Sequence, residues 1–194
     1  MSTERLETFS DGVFAIAITL LILEVRPVGH GTLAHQLLAA WPSYLAYVIS
    51  FVTIGIMWAN HHGIFQLIDR TTHGLLVANI LFLLVVAFIP FPTRVLAEHL
   101  RESGADERTA AVFFNATFTL MAVVYNFLWQ TAAWKNRLIT SGRERAAAQV
   151  SRRFWPGAPS YLVATIVSLF SAPIGIGLNG ALAVFYLLPR RSAS

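Results

Sequence analysis

The chain has 194 residues, of which 56% are hydrophobic and 12% charged, against roughly 25% charge in a soluble domain; it reads as a single all-α polytopic membrane domain over 1–194, with little room for a separate soluble one. Cysteine is absent, which excludes disulfides, zinc–thiolate centres and cysteine nucleophiles. The net charge of +4 would suit nucleic acid in a soluble protein, but basic cytoplasmic loops account for it in a membrane protein, so the expected partner is the lipid bilayer and not nucleic acid.

Apolar runs of about 17–25 residues mark candidate spans, and six are read in chain order. The first covers about 8–25 and stops at Arg26-Pro27. It is not a cleavable leader, because Glu4 and Glu7 offset Arg5 and no small-x-small site follows. The second runs over about 43–66, from Ser43 after Trp41-Pro42 to Gln66. The third, about 74–93, ends in Pro90-Phe91-Pro92. The fourth covers about 109–134 and the fifth about 155–172. The sixth, about 174–188, closes at Pro189, and Pro173 leaves almost no loop before it, so the last two spans read as a tight hairpin. Trp41, Trp129, Trp134 and Trp155 lie near span ends, where amphipathic rings prefer the interface.

Loop charge sets the orientation. With the N-terminus inside, Arg5, Arg70, Lys135, Arg137, Arg143, Arg145, Arg152, Arg153, Arg190 and Arg191 are cytoplasmic, ten of the 14 basic residues. Arg26, Arg94, Arg101 and Arg108 remain outside. The bias favours both termini in the cytoplasm. Most of it sits in the loop 135–153, which suits a short amphipathic helix on the membrane surface.

The segment 5–24, RLETFSDGVFAIAITLLILE, is the most informative. Between Gly12 and Leu23 its one polar side chain is Thr19. An ionised group in the bilayer costs about 2.5–3.5 kcal/mol on insertion scales, so the helix must face protein or water at Asp11. Projected at about 100° per residue, Phe9, Ile16, Leu20 and Leu23 form one stripe with Gly12, and Thr19 flanks it. Asp11 projects to roughly the opposite side. Such a stripe serves helix packing or, around a symmetry axis, a stack of apolar rings that gates ions by squeezing and dewetting a pore. Periodicity leaves both open.

Arg5-Leu-Glu-Thr-Phe9-Ser10-Asp11 matches an R-x-x-x-F-S-D pattern and resembles the opening of the first helix in the transmembrane protein 175 potassium-channel family. The likeness continues through Gly-Val-Phe-Ala-Ile-Ala-Ile-Thr-Leu-Leu-Ile-Leu-Glu, then Trp58-Ala-Asn-His61-His62, Leu76-Val-Ala-Asn79 and Pro90-Phe91. It covers the first half of the chain, and spans four to six agree in number and hydropathy. The resemblance implies a single-repeat, prokaryotic-type chain with six transmembrane helices, in a bacterial plasma membrane. It further implies a homotetrameric cation channel that conducts potassium, binds no cofactor and performs no enzymatic reaction. Carried over by position, Ile16 forms the main hydrophobic constriction, Leu20 and Leu23 add rings on its extracellular side, and Thr19 puts hydroxyls near the ion path. Ala15 stands where some relatives carry a hydroxyl residue, and that departure bears on the strength of potassium selectivity.

With this topology Asp11, His61, His62, His73, Arg5, Asp69 and Arg70 share the cytoplasmic depth. Asp11 is expected to pair with an arginine or histidine of this set, with Ser10, Trp58 and Asn79 completing the network, because intramembrane carboxylates find such partners. The network would hold the pore helix; it reads equally as an ordinary satisfied structural cluster. His61 and His62 point about 100° apart on a helix and do not suit one metal ion. Glu24 reads as an outer-mouth charge that attracts cations or as a solvated helix end. Glu98, Glu102, Asp106 and Glu107 read as a solvated loop with helix-start charges.

The familiar T-V-G-Y-G loop is absent. Gly175-Ile-Gly177 is a faint echo of it and reads as helix packing. Selectivity in a cation channel of this sequence therefore rests on side chains of the first helix. The runner-up is a proton-coupled transporter carrying protons on Asp11, although the inverted repeats and broken midplane helices common in transporters are not evident. A membrane enzyme using His61, His62 and Asp11 has no supporting motif. A non-conducting scaffold is opposed by the resemblance alone.

Overall fold

A computed structural model describes residues 3–102 and 104–187. The helices are α1 (Thr3–Leu21, prolonged by a 3-10 turn, Ile22–Glu24), α2 (Leu33–Ala39), α3 (Trp41–Phe65), α4 (His73–Phe88), α5 (Pro90–His99), α6 (Ala105–Ala133), α7 (Glu144–Phe154), α8 (Gly157–Ser168) and α9 (Ala172–Leu187). Local chemistry sets several starts. The hydroxyls of Thr32 and Thr72 accept from the amides of His35 and Leu75, each at 3.3 Å, satisfying a donor that a helix N-terminus otherwise strands.

Among the described residues, four helices are long and apolar enough to cross a membrane: Thr3–Glu24, Trp41–Phe65, His73–His99 and Ala105–Ala133. The third runs beyond the sequence reading, which ended at about residue 93. Ile89 keeps helical dihedrals (φ −53°, ψ −37°), so α5 continues from α4. Pro90 and Pro92 fall in the first turn of α5, where a missing amide costs little. The Thr93 hydroxyl donates to the Ile89 carbonyl and accepts from Ser50 of α3, each at 2.8 Å. The Ile89 carbonyl also accepts the Thr93 amide at 3.1 Å, so the helical ladder resumes directly after the prolines.

The fifth span is shorter than expected, and the sixth is short as read from the sequence. α8 has 12 residues and α9 has 16, or about 18 and 24 Å against a hydrocarbon core of about 30 Å. Residue 188 of the sixth span, and Arg190 and Arg191, lie outside the described residues.

α6 is the central post, packed against α4, α5, α8 and α9, while α1 leans on α3 and α4. Ring contacts run from α1 through α4 to α6: Phe14 to Phe82 at 5.9 Å and Phe82 to Tyr125 at 5.4 Å. Close packing and interhelical hydrogen bonds take the place of the hydrophobic drive here. In the second half Asn115 donates to the Ser168 hydroxyl at 2.7 Å, and Asn179 donates to the Asn115 carbonyl at 2.6 Å. This joins α6, α8 and α9. A Cβ on Gly175 would stand 2.0 Å from the Ser168 oxygen and 2.9 Å from the Ala164 carbonyl, so α8 and α9 meet through that glycine.

The loops after α3 and α6 are clipped together. The Asp69 amide donates to the Leu138 carbonyl and the Thr140 amide to the Leu67 carbonyl, both at 2.9 Å. The basic loop contains an amphipathic helix, α7. Ala147 is buried, and Ala146, Val150 and Phe154 pack on the core. Arg145, Arg152 and Arg153 face outward.

Candidate functional site

α1 has two chemically distinct faces. Leu6, Ser10, Phe14, Ala17 and Leu21, in steps of three and four, are buried against α3 and α4. Phe9, Ile16, Leu20 and Leu23 are uncovered at 58%, 60%, 41% and 59% exposure, and Gly12, Ala15 and Thr19 are exposed beside them. Of the most apolar stretch of α1, 28% is buried, against 50% in each of the other three spans. The Thr19 hydroxyl donates to the Ile16 carbonyl at 2.9 Å. Its lone pairs therefore face the open side, free to accept a donor or meet a cation.

The covered face is held by polar contacts. Asn79 of α4 donates to the Ser10 hydroxyl at 3.0 Å, and Ser10 donates to the Leu6 carbonyl at 2.8 Å. His61 Nε2 lies 2.8 Å from the Asn79 carbonyl oxygen. With the amide so assigned, the oxygen can only accept, so Nε2 carries the proton. His61 Nδ1 is buried without a partner. The ring stacks on Phe65 at 4.3 Å and on Phe82 at 5.8 Å, and meets Phe14 edge-on at 5.5 Å. α1, α4 and α3 are thus tied by one fully buried relay.

Nearer the surface two rungs join α1 to α3. Trp58 Nε1 donates to an Asp11 oxygen at 2.9 Å. His62 Nδ1 donates to Glu7 while its Nε2 accepts from Gln66 at 2.8 Å. The hydrogen bond at Asp11 comes from the indole of Trp58, one of the side chains expected to complete its network. A neutral donor suffices because the carboxylate is only half-buried. His61 and His62 serve different partners on different sides of α3, in line with their angular separation. His73 is exposed at the start of α4 and joins neither rung. Arg5 lies on the exposed first turn of α1, and Asp69 and Arg70 are exposed in the loop after α3.

Glu24 lies at the other end of α1. Arg94 Nε stands 3.7 Å from Glu24 and 2.8 Å from Glu98. The carboxylate expected to attract cations has a guanidinium beside it, shared with a second acid. Sequence reasoning missed this pair, the Glu7 partner and the phenylalanine enclosure of His61. Glu7 had a signal: Glu7 and Asp11, like Trp58 and His62, are four residues apart, so two antiparallel helices meet at both pairs.

A family model described as Endosomal/lysosomal potassium channel TMEM175 matches residues 5–90, which runs from α1 to the end of α4. A protein named as a potassium channel from Chamaesiphon minutus is 44% identical over 96% of this chain and 94% of its own length. The chain belongs to the TMEM175 family. A second relative, named as a potassium channel from Streptomyces collinus, is 44% identical over 94% of this chain and 90% of its own length. The crystal structure of a lysosomal potassium-selective channel TMEM175 homolog from Chamaesiphon minutus superimposes with a TM-score of 0.86 at 40% identity, covering 95% of each chain.

These relatives extend the TMEM175 likeness past Pro90, through the half where the sequence offered hydropathy alone. Their near-complete coverage marks a prokaryotic-type member of the family. Membership in an ion-channel family excludes an enzymatic reading, and the apolar helices make the chain a multi-pass membrane protein.

Proposed function

We propose that this protein is a potassium-permeable channel in which α1 of each chain lines the pore. The reading rests chiefly on one contrast: α1 is the least covered of the four long spans, and its uncovered face is the apolar stripe of Phe9, Ile16, Leu20 and Leu23. Ile16 is the main constriction, Leu20 and Leu23 form further rings, and Thr19 supplies hydroxyls that replace part of the ion's hydration. The names of the bacterial relatives support potassium as the permeant ion, with no cofactor required.

One α1 cannot enclose a pore, so several copies must assemble, and cyclic symmetry is the simplest closure. A homotetramer is the proposed assembly. An apolar groove of about 530 Å³ between α1 and α4, lined by Phe9, Val13, Ile80 and Leu84, offers a seat for the neighbouring copy. The full chain 1–194 acts as one six-helix transmembrane domain, with α8 and α9 as the last two crossings. Both termini lie in the cytoplasm of a bacterial cell whose plasma membrane holds the channel. Ser10, Asp11, Trp58, His61, His62 and Asn79 anchor the inner end of the pore helix, with Arg5, Phe9 and His73 at the same end. Asp11 is an anchor and not a proton carrier, because its hydrogen bond from Trp58 fixes it against α3.

Current through planar bilayers tests this. Ile16→Ser raises the leak current several-fold with the oligomer intact; unchanged conductance removes Ile16 from the constriction. Thr19→Val shifts the reversal potential under opposed potassium and sodium toward zero; an unmoved reversal potential discards the hydroxyl role.

A further inference from the structure

On the flank away from the stripe of α1, α3 and α9 leave a groove of about 300 Å³ lined by Phe51, Val52, Gly55, Ile56, Ala59 and Leu187, with Asn60, Arg153 and Tyr186 at one end. Gly55 and Ala59 lie four residues apart on α3, and a Cβ on Gly55 would meet nothing within 4 Å. Two missing side chains thus form the floor. Val52 and Ile56 link the groove to its neighbours. Beyond Val52, toward Trp41, lies an apolar cleft of about 490 Å³ edged by Gly177 and Gly180. Asn60 to Val48 alone covers about 18 Å of helix, the length of an acyl chain.

The polar end is built differently. A cavity of about 30 Å³ adjoins it, sharing Ile56, Asn60, Arg153 and Tyr186 and adding Tyr125 and Asn126. The Tyr125 hydroxyl is buried without a partner, in a residue only 2% exposed. Arg153 makes no hydrogen bond or ion pair among the described residues, and the helix that carries it is held on both sides of it. Trp129 donates to the Ser151 hydroxyl at 2.8 Å, and Phe154 meets Tyr125 edge-on at 4.9 Å. No acid lines either cavity. Arg152 adds a second positive charge, while the one acid of α7, Glu144, is at its far end.

We propose that this groove binds an anionic phospholipid of the leaflet on the N-terminal side. Its phosphate is held by Arg153 and Asn60, and one acyl chain lies over Gly55 and Ala59. A guanidinium recognises phosphate with directed hydrogen bonds, and basic pockets between transmembrane helices hold acidic headgroups. A choline or ethanolamine headgroup would bring its own positive charge against Arg152 and Arg153. The site depends on the chain spanning a membrane, not on α1 forming a pore.

Native mass spectrometry of the full-length oligomer in detergent tests the proposal, with phosphatidylglycerol or phosphatidylcholine added separately. Phosphatidylglycerol is retained preferentially. Arg153→Gln, an exposed substitution, lowers its occupancy at least about fivefold, the weight of one basic group at a membrane surface. Arg152→Gln lowers it less, and Gly55→Leu abolishes retention by filling the floor. Ala59→Leu replaces Gly55→Leu if that variant fails to assemble, which the same spectrum reports. Equal retention of the two lipids overturns the proposal. So do equal losses in Arg153→Gln and Arg152→Gln, or full retention in the groove variants. None of these readings depends on current, so failure here and failure of the channel reading are distinguishable.

Discussion

Two buried polar clusters hold this bundle together, and they do different things. The cluster of Ser10, Asn79 and His61 ties the outermost span, α1, to α4 and α3. The cluster of Asn115, Ser168 and Asn179 ties the central post, α6, to the closing hairpin of α8 and α9. The first sits on the covered side of the helix whose other face is open, so its loss frees something to move. The second sits where every surrounding helix is already packed, so its loss leaves a defect with nowhere to go. Similar interhelical bonds therefore control position in one half and stability in the other.

The strongest test of that division lies in the second half. Gly175→Ala places a methyl 2.0 Å from the Ser168 oxygen and 2.9 Å from a backbone carbonyl, and the carbonyl cannot step aside. Overpacking of this kind costs about 1–3 kcal/mol. Gly177→Ala meets nothing within 4 Å and stays within about 0.5 kcal/mol. Thermal unfolding in detergent reads both. Equal melting temperatures would mean that α8 and α9 do not meet through Gly175.

The next test sets the clusters against each other. Asn79→Leu strands a buried His61 N–H, and Asn115→Leu strands the amide of Asn179; each costs about 1–3 kcal/mol. Their effects on current differ. Asn79→Leu alters open probability because α1 loses its buried tie, whereas Asn115→Leu leaves the current of each assembled channel unchanged. Single-channel recording with parallel melts separates the outcomes, and altered gating in Asn115→Leu would merge the two roles. Trp58→Phe removes the rung to Asp11. It costs less, about 0.5–1.5 kcal/mol, because water reaches the half-buried carboxylate and replaces the indole.

The two halves were also unequally legible in the sequence. Asp11 stood out because charge beside an apolar run is rare and costly, and the projection of α1 placed Ile16, Leu20 and Leu23 on the face that is open in the fold. Asn115 and Asn179 gave no such signal, since neutral polar side chains are cheap enough in a transmembrane helix to pass unnoticed. Gly175 was read as packing, and the close approach at Ser168 supplies the reason. The end of the third span was misplaced because Pro90 and Pro92 fall in the first turn of a helix that carries on, where a missing amide costs little. Ser50 lies 43 residues before Thr93, and that separation hides the pair from any local reading. Trp58 was read as one member of the Asp11 network, and its neutral indole on the facing side of α3 supplies a hydrogen bond to the carboxylate.

The smallest effect concerns the outer end of α1. Glu24 has Arg94 at 3.7 Å, and Arg94 leans more closely on Glu98 at 2.8 Å. An exposed pair of this kind is worth about 0–1 kcal/mol, so neither Glu24→Gln nor Arg94→Gln should move the melting temperature measurably. Conductance distinguishes them through sign. With Arg94 present, the field of Glu24 is largely cancelled, and Glu24→Gln changes cation current little. Arg94→Gln unmasks Glu24 and Glu98 together and raises inward cation current. The rise fades as ionic strength increases, because the screening length falls from about 30 Å at 0.01 M to about 8 Å at 0.15 M. A large loss of current in Glu24→Gln would show that Arg94 does not neutralise the mouth. The outer end of α1 would then belong with the ion path and not with the contacts that hold the helix in place.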